Sequence, residues 1–186
     1  MATTTKKSGF TSAGSKVSYQ PEQKFDNKKM RHYMEGKTFV LHCHHYATLF
    51  TQLACDARDL GGTELLTEAS CETFYEVLCD YFKKHKVSDT TDRIAIAEQY
   101  YGYVGMGTIE FNFGDKEGFA VMEHSHIDEG WKKKWGQKEE PVNFIGIGYI
   151  QAAWGAVFNK KPETCNVEET QSIVCGSSNS RFTINW

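Results

Sequence analysis

The chain has 186 residues, of which 40% are hydrophobic and 24% are charged, and these values are typical of one globular domain and exclude a disordered or fibrous protein. The formal net charge of -3 and the lack of a long basic run give no basis for a nucleic-acid partner. No stretch approaches the about 20 apolar residues of a membrane span, and the start MATTTKKSGF lacks the apolar core of a secretion signal, so we predict a cytoplasmic protein with no membrane partner.

The composition of the chain changes near residue 36. Residues 1–35 are rich in polar residues and have no periodic apolar pattern, so we predict a polar N-terminal tail or arm. Residues 36–186 are predicted to form a single ligand-binding domain. Its six cysteines are expected to be reduced, because a chain of this size can fold without disulfides.

Three helices are predicted in the first half of this domain. The first begins near Leu41, carries Tyr46, Leu49 and Leu53 on the face predicted to point inward, and ends before Gly61. The second has an apolar stripe and a C-terminal end rich in lysine, which suits the negative end of the helix dipole. The third follows the capping segment SDTTD.

The second half changes to the alternating pattern of β-strands. The segment GTIEFNFGDKEGFAVMEHSH predicts a β-hairpin, and Trp131 and Trp135 predict a short amphipathic turn after it. The apolar stretch VNFIGIGYIQAAWGAVF predicts a helix, and residues 166–175 and 181–186 predict two strands. This order predicts an α+β fold, in which an antiparallel sheet packs against helices, and does not suit a doubly wound parallel fold.

Four potential metal ligands are adjacent in the segment LHCHHY, namely His42, Cys43, His44 and His45. If the helix begins near Leu41, His42 and His45 lie on the inward face and His44 points elsewhere. A buried imidazole requires a hydrogen-bond partner or a metal ion, because an unsatisfied polar group costs about 1–3 kcal/mol.

Two further histidines, His124 and His126, are predicted to share one face of the hairpin because they are two residues apart. A helix that packs on this face would bring both histidine sets to one site. A metal or metallocofactor would then stabilise neutral imidazoles that are otherwise crowded in a low-dielectric space. Imidazole and thiolate ligands suit iron, haem iron, cobalt or zinc, and the pattern does not choose among them.

Other kinds of site lack support in the sequence. The glycine-rich segments GYVGMG and GIGYIQAAWG are not followed by the elements that a dinucleotide site requires. No G-x-S-x-G motif is present, so nucleophilic hydrolysis has no support.

Three segments of the C-terminal half resemble the 4-vinyl reductase (hydrocarbon-binding) domain family, which is distantly similar to small subunits of vesicle-tethering complexes. These segments are the glycine-rich hairpin, the small-residue helix GYIQAAWGAVF and the end VEETQSIVCGSSNSRFTI. The family's pattern of glutamate, cysteine, glycine, cysteine and phenylalanine aligns here with Glu169, Ser172, Gly176, Ser180 and Phe182. The resemblance covers residues 36–186.

The two serines in this pattern bear on metal binding. The resemblance implies a structural zinc held by the glutamate, the cysteines and one further cysteine, and this chain has Asn143 at the last position. Serine and asparagine are poor zinc ligands beside thiolate, so the family's structural zinc is not expected here.

The resemblance also implies a homodimer with an internal pocket for a small aromatic or tetrapyrrole-like molecule. We therefore predict a protein that binds a small molecule or metallocofactor, such as haem, a corrinoid or a metal ion, in a pocket lined by the histidine and cysteine residues. Tyr46 and Trp154 are expected to line this pocket with His42 and His45. Two alternatives stay open: a reductase or tetrapyrrole-modifying enzyme that uses one of these histidines, and a structural adaptor.

Overall fold

The computed structural model describes residues 9–186, which form five α-helices and two antiparallel sheets, so the predicted α+β class is confirmed. The helices are α1 (His44–Asp56), α2 (Gly62–Lys84), α3 (Thr90–Tyr103), α4 (His126–Trp135) and α5 (Phe144–Phe158). The strands are β1 (Gln23–Asp26), β2 (Arg31–Met34), β3 (Lys37–Phe39), β4 (Glu110–Phe113), β5 (Glu117–Met122), β6 (Asn166–Gln171) and β7 (Ser180–Asn185). Within residues 9–186, no helix is long and apolar enough to cross a membrane.

The main sheet has the strand order β4-β5-β7-β6, and its inner face meets α5 in the core. α5 is apolar on most of its circumference, because it is covered by the sheet on one side and by α2 and α3 on the other. Gly148 lets α5 approach α2 closely, since an added Cβ would clash with the carbonyl oxygen of Thr67. The predicted hairpin and the two C-terminal strands are confirmed.

The N-terminal arm is bound to the rest of the chain. Tyr19 is buried and contacts the rings of Tyr81 and Tyr100, and Phe10 forms a two-hydrogen-bond bridge with Phe113 at the edge of β4. The strands β1, β2 and β3 form a small second sheet that the sequence did not predict, because its residues are mostly exposed and do not alternate between apolar and polar. The predicted division at residue 35 falls inside the β2–β3 turn.

The inward face predicted for the first helix is wrong. Tyr46, Leu49, Phe50 and Leu53 are exposed, whereas the small residues Ala47, Thr48, Thr51 and Ala54 are buried. The helix faces this way because α4 approaches closely at Gly130, where an added Cβ would lie 2.8 Å from the Cβ of His44 and 3.0 Å from a methyl group of Thr48.

The predicted strand position of His124 and His126 is also wrong. β5 ends at Met122, and α4 begins at His126 with Ser125 as its N-cap. The Ser125 hydroxyl accepts a hydrogen bond from the backbone N–H of Asp128, and this cap ends the strand pattern. The short turn predicted around Trp131 and Trp135 is a ten-residue helix.

We expect Tyr19→Ala to lower the free energy of unfolding by about 3 kcal/mol, because it removes a buried aromatic side chain. The control is Phe25→Ala in the same arm, since Phe25 is exposed and its loss should cost less than about 1 kcal/mol. Chemical denaturation followed by circular dichroism measures both values. Equal stability of the Tyr19 variant and the parent would show that the arm does not contribute to the core.

Candidate functional site

Three of the predicted histidines come together between the start of α1 and the start of α4. The ring of His126 lies 5.7 Å from that of His42 and 5.8 Å from that of His44, measured between ring centroids. His42 precedes α1, His44 is its first residue, and His126 is the first residue of α4. The close packing of α1 on α4 at Gly130 therefore determines the spacing of these rings. We call His42, His44 and His126 the histidine cluster.

Two ring nitrogens of the histidine cluster are buried without a hydrogen-bond partner. These atoms are Nε2 of His44 and Nε2 of His126. Burial lowers the pKa of His126, and the imidazoles of His42 and His44 lower it further, against the opposing effect of its hydrogen bond with the backbone of Cys43, so the neutral ring is favoured. A neutral ring nitrogen with a free lone pair is the form of histidine that binds a metal ion.

The other predicted ligands lie outside this cluster. His45 is exposed beside Lys133 and Lys134, Cys43 is exposed, and His124 points to solvent, where its ring interacts with Glu129 at 3.0 Å. The predicted orientations of His44 and His45 are therefore reversed. Within residues 9–186, no group of three or more His, Cys, Asp or Glu side chains has the arrangement of a preformed metal site.

The two predicted aromatic residues lie in different places. Tyr46 is half exposed, 5.8 Å from the ring of His42. Trp154 is buried in the core beside Phe158 and Trp186, and its indole N–H has no hydrogen-bond partner. A single pocket lined by His42, His45, Tyr46 and Trp154 does not follow from these positions.

A second cluster of buried polar side chains lies at α4 and connects four elements of the fold. Asn143, before α5, donates its side-chain N–H to Asp128 of α4 at 3.0 Å and to Ser125 at 3.1 Å. Ser180 of β7 donates to the same Asp128 oxygen at 3.0 Å, and Glu169 of β6 accepts from the Asn143 backbone N–H at 3.3 Å. We call these residues, together with Ser172, the buried polar cluster.

The buried polar cluster occupies the positions at which the family resemblance implies zinc, and its residues do not fit that ion. It contains no thiolate, and Asn143 directs N–H donors rather than a lone pair towards Asp128, because its oxygen accepts from the Gly146 N–H at 2.9 Å. The hydroxyls of Ser172 and Ser180 accept hydrogen bonds from the backbone N–H groups of residues 174 and 173.

The two carboxyl groups of this cluster have raised pKa values. The pKa of Glu169 is raised to about 8. Burial is the main cause, and the negative charge of Asp128 contributes to the same increase. Burial also raises the pKa of Asp128, against the opposing effect of its hydrogen bonds. One oxygen of each carboxyl group has no hydrogen-bond partner. The pair therefore favours at least one bound proton near neutral pH.

An open groove of about 1010 Å³ lies between α2, α5 and the 3-10 helix Pro162–Thr164. Its rim includes Glu64, Glu68 and Glu72 of α2 and Glu163 of the 3-10 helix, and its apolar lining includes Phe144 and Ile147 of α5. We call it the α2–α5 groove. None of the predicted metal ligands lines it.

The groove and the role of Asp128 were not predicted from the sequence. The signal for the groove is the recurrence of glutamate at every fourth residue in α2, which places these side chains on one helix face. Asp128 could be recognised as a residue in the first turn of a helix capped by Ser125, but its partners come from three other elements that are distant in sequence.

No family model matches the sequence, and no curated protein matches it. Two solved structures are similar in fold. The phenol-responsive sensory domain of the transcription activator PoxR, with phenol, has a TM-score of 0.71 at 15% identity, over 88% of this chain and 84% of that chain. The trafficking protein particle complex subunit 3 from Naegleria fowleri, covalently bound to palmitic acid, has a TM-score of 0.52 at 10% identity, over 76% of this chain and 93% of that chain. The fold fits the 4-vinyl reductase-like class predicted from the sequence.

We expect Glu169→Gln to remove a pH dependence of stability. The pKa of Glu169 is about 8 in the folded state, above the ordinary value of 4.5, so the folded state binds the proton more tightly. Its contribution to stability is fully present below about pH 4.5 and is lost as the pH rises to about 8. The matched control is Glu168→Gln, because Glu168 is exposed on the same strand. Denaturant midpoints between pH 5 and pH 8 should fall for the parent and the control and change less for Glu169→Gln. Equal slopes for all three would contradict the prediction.

Proposed function

We propose that the chain is a ligand-binding domain that holds a transition-metal ion through the histidine cluster. The observation that carries this proposal is the pair of buried, unpartnered Nε2 atoms of His44 and His126, with the ring of His42 beside them. Each buried nitrogen without a partner costs about 1–3 kcal/mol, which a bound ion would offset. Three imidazoles with a further open position are a set typical of metal sites that bind a ligand.

The number of neighbouring rings favours a single ion over a tetrapyrrole, although the rings would have to move together to bind it, since they do not form a preformed site. Iron or cobalt in a tetrapyrrole has two axial positions, whereas His42, His44 and His126 supply three rings. His42 is exposed and lies in the segment before α1, so it can adjust to complete the site. Zinc, cobalt and nickel ions accept imidazole ligands in this way.

The two similar structures support binding of a small organic molecule as the general activity. One is a sensory domain with phenol and the other is covalently bound to palmitic acid, so both proteins of this fold are found with a small organic molecule. A metal ion held by the histidine cluster could bind such a molecule through an oxygen atom. The enzyme alternative would use His126 as a base, and the structural adaptor would leave the histidines without a ligand.

We expect the purified protein to bind Co²⁺, seen as a visible absorption band, and each of His42→Ala, His44→Gln and His126→Gln to weaken binding at least tenfold. The matched control is His124→Ala, because His124 is two residues from His126 but points to solvent. Binding should weaken as the pH is lowered, because protons compete with the ion for the imidazole nitrogens.

Isothermal titration calorimetry gives the affinity and stoichiometry of the same proteins. An absence of binding to the parent, or an equal loss in the His124 control, would refute the metal site. Tight binding of haem that is unaffected by the three substitutions would favour a different ligand site.

We further propose that the chain forms a homodimer through the exposed face of α1. This face and the segment before it consist of Val40, Leu41, Tyr46, Leu49, Phe50 and Leu53, each between 41% and 77% exposed. A group of large exposed apolar side chains on one helix face is typical of a protein–protein interaction site. Trp131 does not contribute to this surface, because it is buried.

We expect the double substitution Phe50→Glu and Leu53→Glu to convert a dimer into a monomer, because it places two charges in the centre of the apolar face. The control is Met30→Glu, since Met30 is 72% exposed in the N-terminal arm. Light scattering at several concentrations gives the mass of each protein. A parent that is monomeric throughout would contradict the proposal.

A further inference from the structure

The α2–α5 groove has an excess of negative charge, because four glutamates and one basic residue, Lys161, line it. Glu64, Glu68 and Glu72 recur at every fourth residue of α2, and Glu163 faces them from the 3-10 helix. Glu68, Glu72 and Glu163 make no ion pair with a basic side chain anywhere in residues 9–186. Like charges four residues apart destabilise a helix, so this row of glutamates does not contribute to the stability of α2.

The next acidic residues of α2 are arranged differently. Glu76 and Asp80 both pair with Lys37, at 2.5 and 3.0 Å. Outside the groove the acidic residues of α2 are thus paired with a lysine, whereas Glu68 and Glu72 at the groove make no ion pair within residues 9–186; Glu64 lies within electrostatic range of Arg58.

The negative charge also acts inside the groove. Burial raises the pKa of the Cys71 thiol to about 11, and the carboxylates of Glu163 and Glu72 add to this increase. Burial raises the pKa of Tyr75, and Glu163 makes a smaller contribution in the same direction. The interior therefore lies in a negative potential that would stabilise a positive group.

The floor of the groove has an apolar part beside polar residues such as Gln151, and its two helices pack closely together. Phe144 and Ile147 of α5 line it, and α5 is fixed against α2 by the contact of Gly148 with the backbone of Thr67. A partly apolar floor with an acidic rim is complementary to a segment that has an apolar face and basic residues beside it.

We propose that the α2–α5 groove binds a basic amphipathic helix of a partner protein. Residues four apart in a helix are about 6 Å apart along its axis, so lysines or arginines at this spacing would match the row Glu64, Glu68, Glu72. The apolar face of the same helix would cover Phe144 and Ile147 between the two helices that form the walls.

The test uses the full chain and a fluorescein-labelled helical peptide that has lysines at three positions spaced by four residues and leucines beside them. Fluorescence anisotropy at low salt gives the Kd. We expect Glu68→Gln with Glu72→Gln to raise the Kd at least tenfold. The matched control is Glu123→Gln with Glu139→Gln, which removes the same charge from exposed residues that do not line the groove and should change the Kd less than twofold.

Two further measurements separate docking from general attraction. A peptide with glutamine in place of lysine should bind at least tenfold more weakly, and Ile147→Ser should weaken the lysine peptide at least threefold while circular dichroism shows an intact fold. An equal loss in the two double variants, or unchanged binding to Ile147→Ser and to the glutamine peptide, would overturn the proposal.

Discussion

The side-chain amide of Asn143 is the interaction on which the arrangement of the second half depends. Its oxygen caps the first turn of α5, and its nitrogen bonds to Asp128 of α4. Ser180 connects the same carboxyl group to β7, and Glu169 connects β6 through the Asn143 backbone. Because these groups are buried, removal of the amide would leave the Gly146 N–H without its side-chain acceptor and the Asp128 oxygen with Ser180 as its remaining donor. The position of α4, and of His126 at its start, follows from this set of hydrogen bonds.

α1 has two faces that serve different purposes. Small residues such as Thr48 face α4 and allow the close approach that places His44 beside His126. Large apolar residues such as Phe50 face outward. The proposed metal site and the proposed dimer interface are therefore neighbours on one helix, and changes that move α1 would act on both.

The sequence predicted most of the fold because the hairpin, α2, α5 and the final strand pair have clear periodic patterns. The prediction was wrong for α1, because it assumed that large apolar residues face inward. Gly130 permits α4 to approach α1 closely, and this contact requires small residues on the inward face. The sequence predicted that His42 and His126 lie close together, but it did so by placing His126 in a strand. His126 is in fact the first residue of a helix. The cluster around Asp128 depends on contacts between distant segments, which no local pattern reports.

The backbone bridge between Phe10 and Phe113 lies at an edge of the main sheet, where a strand of another molecule could pair. The main sheet has two edges, β4 and β6, and an open edge is a template for pairing with strands of other molecules. The chain covers part of the β4 edge with its own N-terminal segment. At the other edge, β6 carries the exposed charge of Glu168 and an irregularity in pairing between Glu169 and Gln171, both of which oppose the addition of a further strand. The domain can thus expose a large apolar helix face for specific contacts while strand-mediated aggregation is disfavoured at both ends of its sheet.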